Sequence, residues 1–445
     1  MTVRVRPHPV GMLTAVIMAM AGLTGCNTGG APGKLVVLGS WTGGEQQVFQ
    51  AVLDEFGAQH GVEVDYQGTR DVSQALRSLI EEGQSPDVVI MPSAGDLAAH
   101  QAEFRSLEFL ETAPEDSPNR MLRDANRPYA IAVKTTLKSI VWFDPRVDQE
   151  FVQHPPANWS ELRSAAAAAS ALRDRAGWCI GLGATSQAGW AGTDWIEDIL
   201  LHQAGPGEYA DWASGRLSWT SPSVEKAWET FGGLFAPENM VLGGRTGALL
   251  TTYDVAGTPL LQRRCRFHHQ GSFMAGLLAA SGSPAVGAPE SPAGSPGARA
   301  SFDFFPFPES ESRQGSKVFE VSSDFAALMT DDQNAVELLR YLTPAAGAQR
   351  LWFEQGGASA VPADGDHGLI NDKLAALANA STLCLDASDT MPPELAAAFE
   401  RAVLEFVAGK AELKGLLRQL EELSRPFHPP QQSESWSSQC VAHAP

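Results

Sequence analysis

The chain has 445 residues, 44% of them hydrophobic, and a formal net charge of −20. Its length can fill one large or two ordinary domains, and its apolar content is that of a folded chain rather than a disordered one. The acidic balance repels phosphate backbones and anionic headgroups, which argues against nucleic acid as a partner.

In chain order, Arg4 and Arg6 precede an apolar run from Val10 to Leu23, and Leu23-Thr24-Gly25-Cys26 closes it. This is the layout of a secretory leader. The run is shorter than the roughly 20 residues a membrane-spanning helix needs. The LTGC tetrapeptide resembles the lipobox of bacterial lipoproteins. That resemblance implies a leader over 1–25 and an acylated Cys26. Residues 26–33 would then tether the protein to the outer face of the cytoplasmic membrane, where two or more acyl chains give a stable anchor. The alternative is an ordinary signal peptide with an incidental cysteine.

Folded sequence begins with Lys34–Trp41, an apolar run that predicts a buried strand. Val48, Phe49, Val52, Leu53 and Phe56 form one stripe of a helix over about 43–60. Thr42 and Glu45 are spaced as a capping box at its start, and Gly61 suits its end. Val62–Gln67 alternates as a second strand. Asp71 and Gln74 open a second helix whose inward face is Ala75, Leu76, Leu79 and Ile80, with Gly83 at its end. Pro86–Met91 is a third apolar strand. The β-α-β-α-β order with short connections predicts a mainly parallel sheet covered by helices. Ligands of such sheets bind at the carboxyl ends of the strands, here 41–44, 68–71 and 91–95.

Tyr129–Val147 reads as one long extended stretch passing from one lobe to another. Eight of the 11 Trp residues fall between Trp142 and Trp228, a density that marks a binding site or a large core. Residues 281–300 are rich in Pro, Gly, Ser and Ala without periodicity and read as a loop. Ser301–Pro308 resumes structure, and Val318–Met329 is a second strand-like run. Helices are predicted near 332–343, 345–355, 393–408 and 411–424. Apart from Cys26, the cysteines are Cys179, Cys265, Cys384 and Cys440. An even number outside the cytoplasm suggests two disulfides. Three pairings are open, with Cys179–Cys265 and Cys384–Cys440 favoured, and four buried thiols are the alternative. No zinc or redox motif is present, and no cofactor or metal is expected.

LVVLGSWTGGE, PDVVIMP, YAIAVKTTLKSIVWFDP, WCIGLGATSQAGWAGTDWIEDILL, CRFHHQGSF, DFFPFP, VFEVSSDFAALM and LWFEQGGASAVPAD occur in that order. Together they resemble the extracellular solute-binding proteins of family 1, the class of maltose-binding protein. GWAGTDWIEDILL and CRFHHQGSF are similar to its α-glucoside-type branch. The resemblance implies an α/β, periplasmic-binding-protein-like type II fold: two discontinuous lobes with a hinge and an interlobe cleft. The first lobe would take 34–135 and 320–362, the second 136–319 and 363–445. It further implies a monomeric, non-catalytic subunit of an ABC importer that captures a neutral oligosaccharide, an α-glucoside by the branch resemblance, and delivers it to a membrane permease. A tethered glycoside-processing enzyme and a ligand-sensing lipoprotein are the alternatives. The insertion at 281–300 departs from the family pattern.

A sugar offers a face of polarised C–H groups and an edge of hydroxyls, so its site needs aromatic faces and planar polar groups. Trp41, Thr42 and Gly43 are candidates from their place at the end of the first strand, with a core-packed Trp41 and a plain glycine turn as the competing reading. Glu45 is either a hydroxyl acceptor or a cap. Trp190, Asp194 and Trp195 are second-lobe candidates, with a buried helix face and a cap as the competing reading of the last two. His269 and Gln270 are polar candidates. The His268–His269 pair does not predict a metal, because neighbours on one strand point to opposite faces. Trp352 is a candidate on the return segment, with a core role equally open.

Overall fold

Alternation along the first strands decides the packing of the first lobe. In the computed structural model, which describes residues 33–110, 121–124, 127–171, 175–183, 189–281, 302–313, 317–343, 369–379, 381–427 and 440–442, β1 is Lys34–Gly39, β2 Glu63–Gly68 and β3 Val88–Met91. Both β2 and β3 pair parallel to β1. Leu35, Val37, Val88 and Ile90 face one side of this sheet, where Phe49, Val52, Leu53 and Phe56 of the Gly44–His60 helix pack with Leu338 and Leu339. Leu38, Val89 and Met91 face the other side, against Val72 and Leu76 of the Val72–Glu81 helix. Period-2 alternation with both faces apolar is what a sheet covered by helices on each side requires.

The stretch expected to be one extended run is broken. β4 (Met121–Asp124) pairs with β5 (Arg127–Leu137), and β6 (Ile140–Phe143) follows after only Lys138 and Ser139. β5 stays in the larger sheet, whereas β6 belongs to a second sheet. There it lies between β8 (Cys265–His269) and β9 (Asp303–Pro306), with β7 (Ala176–Cys179) beyond β8. The chain returns along β10 (Val318–Leu328). β10 runs antiparallel to β5 and β3, and its first residues pair parallel with β11 (Thr382–Leu385), which β12 (Cys440–Ala442) flanks. The result is two α/β lobes joined by crossing segments.

The second lobe explains the tryptophans. Trp159, Trp178, Trp195, Trp212, Trp219 and Trp228 all belong to one buried cluster. Edge-to-face pairs run through it, including Trp178–Trp195 at 4.9 Å and Trp212–Trp219 at 5.0 Å between ring centres. The Trp density of the sequence is therefore mostly core. Disulfides join Cys179 to Cys265 across β7 and β8, and Cys384 to Cys440 across β11 and β12. Helices Gln333–Leu342, Pro393–Val407 and Leu413–Ser424 form where periodicity places them. The leader, Cys26, the tether apart from Gly33, the 281–300 loop apart from Ser281, and the 345–355 helix with Trp352 lie outside the described residues. Among the described residues, no helix is long and apolar enough to cross a membrane.

Candidate functional site

At the carboxyl end of β1, Trp41 is fixed by its backbone before its ring matters. Its N–H donates to the Tyr66 hydroxyl at 3.0 Å, and that hydroxyl donates to the Trp41 carbonyl at 3.0 Å. The ring meets Phe49 edge-on at 4.7 Å and lies 5.3 Å from the Lys134 ammonium. Gly43 then takes a left-handed φ of 62° and begins the helix. The expected capping box does not form, since no side chain caps this helix. Glu45 turns instead to Lys134 at 2.9 Å and Arg70 at 3.2 Å. Burial alone would raise the Glu45 pKa, but the charges of Lys134 and Arg70 outweigh it and hold the carboxyl below its usual value.

The facing wall belongs to the second lobe. Trp190, at the first turn of the Trp190–Ala204 helix, meets Tyr253 at 4.7 Å and Phe273 at 6.1 Å between ring centres. Arg70 of the first lobe places its guanidinium 5.4 Å from the centre of the Tyr253 ring, so this cation spans the cleft. The lobes also touch near the Ala94–Ala99 helix, where the Ser93 hydroxyl donates to the Asp389 carbonyl at 3.2 Å. Gly95 is needed there: a Cβ would stand 1.9 Å from the Met391 carbonyl oxygen.

Behind the aromatic wall, Lys138 lies 5.2 Å from the centre of the Trp190 ring. Its ammonium donates to Asp194 and to Asp386, each at 2.9 Å. Burial opposes the charged lysine, but these carboxylates keep its pKa well above the ordinary value. Asp386 also accepts from the Ser388 hydroxyl and the Asp389 N–H, and so remains the ionised partner. Burial pushes Asp194, which lacks those donors, up to about 7 against the pull of Lys138.

These two walls, carried on two lobes with a two-segment crossing, agree with comparison to known proteins. The family model described as bacterial extracellular solute-binding protein matches residues 40–349. The chain belongs to this family. It is similar to the osmoprotective compounds-binding protein of Synechocystis sp., with 26% identity over 423 residues, 89% of this chain and 95% of that one. It is also 26% identical over 405 residues to the alpha-glucosides-binding periplasmic protein of Rhizobium meliloti, covering 85% of this chain and 84% of that one. A solved chitin oligosaccharide binding protein shares the fold with a TM-score of 0.71 at 14% identity, over 88% of this chain and 99% of that one. Members of this solute-binding family are binding proteins, not enzymes.

Within this solute-binding fold the sequence candidates separate. Thr42, Gly43 and Glu45 stand together at the carboxyl end of β1, Trp190 opens its helix in the second lobe, and Asp194 lies behind Trp190; the Trp41 ring, 3% exposed, packs instead into the first-lobe core with Phe49 and Tyr66. Trp195 instead packs into the second-lobe core, only 2% exposed, because it is on the inward side of its helix. His269 donates from Nε2 to the Asp198 carboxylate at 2.7 Å and meets the Phe307 ring edge-on at 5.1 Å. The Gln270 amide oxygen accepts from Gly271 N–H, which folds it back on its own turn. Sequence reasoning did not single out Arg70, Lys134, Lys138, Tyr253 or Phe273. Arg70 was within reach, since it follows β2 at a strand carboxyl end. Asp194, Glu320 and Asp386 bring carboxylate oxygens within 4.8 Å of one another, as metal ligands can. Lys138 already supplies positive charge to two of them.

Proposed function

We propose that this solute-binding protein captures a neutral oligosaccharide or small glycoside between the two lobes and presents the closed form to an ABC permease. The observation that carries this reading is the pairing of the charges at the rim and behind the aromatic wall. Glu45 is held by Arg70 and Lys134, and Lys138 by Asp194 and Asp386. An ionic solute would have to break one of these pairs in a partly dry cleft, whereas a sugar needs only aromatic faces and hydrogen-bonding edges. Trp190 and Tyr253 supply the faces, Glu45, Arg70 and Thr42 the edges. The alpha-glucosides named for one of the two similar proteins support the same class.

In this reading the first lobe comprises 34–135 and 320–362 and the second 136–319 and 363–445. Residues 1–25 are the leader, and Cys26 is the lipid anchor on the outer face of the cytoplasmic membrane. The protein acts as a monomer. Closure selects the liganded state because the solute touches both walls.

A form beginning at Asn27 tests this by thermal melting against neutral disaccharides, oligosaccharides and glycosides. A ligand at 100 times its dissociation constant adds about 2.7 kcal/mol of stability. One hit that raises the melting temperature, is recovered uncleaved, and is lost in Trp190→Ala and Tyr253→Ala supports the reading. A panel without a hit removes neutral sugar as the solute.

A further inference from the structure

The crossing between the lobes is built on buried acids. Lys138 and Ser139, the two residues between β5 and β6, tie together every neighbouring segment. Lys138 binds Asp194 of the Trp190–Ala204 helix and Asp386, at the start of the Ala387–Thr390 helix. The Ser139 hydroxyl donates to Asp198 of the former helix and accepts from the Glu320 N–H of β10 at 2.7 Å. Glu320 itself is fully buried, and neither of its carboxylate oxygens has a hydrogen-bond partner among the described residues. One of those oxygens lies within 4.8 Å of a carboxylate oxygen of Asp194 and of one of Asp386. Glu197 is similar: one oxygen accepts from Ala387 N–H at 2.7 Å and Ser388 N–H at 3.3 Å, and the other has no partner among the described residues.

The Trp190–Ala204 helix contributes Asp194, Glu197, Asp198 and His202, all buried. β8 adds His269, whose ring nitrogen lies 2.7 Å from Asp198. The segment from Asp386 to Asp389 adds those two carboxyls, with Ser322 of β10 donating to Asp389. Glu309, after β9, faces His202 at 4.0 Å. The Pro393–Val407 helix brings Glu400, which senses Asp194 and Asp386, and Asp96 of the first lobe in turn acts on Glu400. Tyr209 donates to Glu197 at 3.2 Å. His202 and His269 serve Asp198, so Lys138 stands as the cation for the other acids.

We propose that this cluster is a proton-binding site in the hinge, with Glu320 and Glu197 carrying protons at neutral pH and the crossing segments loosening when those protons leave. A buried carboxylate with no donor is costly, while its neutral acid donates to a neighbouring carboxylate and removes like-charge repulsion. Asp194 and Asp386 are the carboxylates gathered with Glu320, one oxygen of each within 4.8 Å of the others. Burial first, and the neighbouring acids second, raise the Glu320, Glu197 and Asp389 pKa values well above their ordinary ones. A raised folded-state pKa gives stability that is complete below the unfolded value, near 4.5 for Glu, and is lost as pH rises through the folded value.

Infrared spectroscopy of the purified protein at neutral pH tests this directly. The expected result is a carbonyl stretch of protonated carboxylic acid that fades as pH is raised and is weaker in Glu320→Gln. The wild-type melting temperature should also fall more steeply than that of Glu320→Gln as pH rises above neutrality. If the Gln variant does not fold, Glu320→Met gives the same comparison. The idea is overturned if wild type shows no acid band at neutral pH, or if the band is unchanged by the substitutions. A melting temperature raised by calcium and lowered by chelator in wild type alone also overturns it, in favour of a metal. None of these readings uses a solute, so they stand apart from the sugar assignment.

Discussion

Arg70 and Tyr253 meet across the cleft, guanidinium to ring centre at 5.4 Å, although they belong to different lobes. Arg70 is held on its own side by Glu45 at 3.2 Å, so it reaches the second lobe already oriented. A cation–π contact of this kind contributes about 1 kcal/mol when partly exposed. Arg70→Ala is therefore expected to weaken capture of the solute found by melting about fivefold to tenfold, mainly through faster release. Calorimetry and stopped-flow dissociation check this. Arg70→Lys should recover only part, because an ammonium lacks the flat guanidinium face. Unchanged affinity in Arg70→Ala would show that the contact does not hold the closed state.

The first lobe was legible because its physics is local. Apolar positions at period two and period 3.6, with short connections, are enough to place β1, β2, β3 and the helices between them. The break at Lys138–Ser139 was not legible, since both halves of 129–147 have the same β-rich composition. Only the pairing partners differ, β10 on one side and β8 with β9 on the other. Glu45 shows a second limit. Its spacing from Thr42 suits a cap, yet two cations, one 25 and one 89 residues away in sequence, compete for the carboxylate and prevail. Trp195 and Trp190, five positions apart on one helix, could not be sorted into core and cleft before the packing of that helix was known.

The disulfides should carry much of the second lobe's resistance to unfolding. They span 86 and 56 residues, and constraining loops of that size stabilises by about 4 kcal/mol each in the chain-entropy account. Cys179→Ala with Cys265→Ala should lower the melting temperature markedly and leave solute affinity nearly unchanged at low temperature, because neither sulfur reaches the cleft. Cys384→Ala with Cys440→Ala should free the β12 edge, which hydrogen exchange at Val441 would report. Melting curves of the double variants that match wild type would show that the bridges add nothing.

Asp198 sets the acid limit. It accepts from Ser139 and lies 3.0 Å from His202 and 2.7 Å from His269. Burial would raise its pKa, but the two histidines outweigh that and hold it below the usual value. A depressed folded-state pKa gives stability that is present above the unfolded value, near 3.8, and lost as pH falls through the folded one. Asp198→Asn should thus be less stable than wild type at neutral pH, with the difference shrinking in strong acid. Parallel melting curves at all pH values would contradict this.

Lys138 gives the sharpest substitution. Removing one member of a buried ion pair leaves the other charge unsatisfied and costs about 3–5 kcal/mol. Lys138→Met strips the cation from Asp194 and Asp386 together, so it should destabilise by at least that order. The loss should be smaller at pH 5 than at pH 8, because Asp194, already pushed up to about 7 beside the lysine, takes a proton more readily without it. Adding Asp194→Asn and Asp386→Asn to Lys138→Met should restore much of the stability, since the triple variant has no unpaired charge at this point. Denaturant unfolding of wild type, Lys138→Met and the triple variant decides the matter. If the triple variant is no more stable than Lys138→Met, the lysine acts through its contact with the Trp190 ring, 5.2 Å away, rather than through the two aspartates.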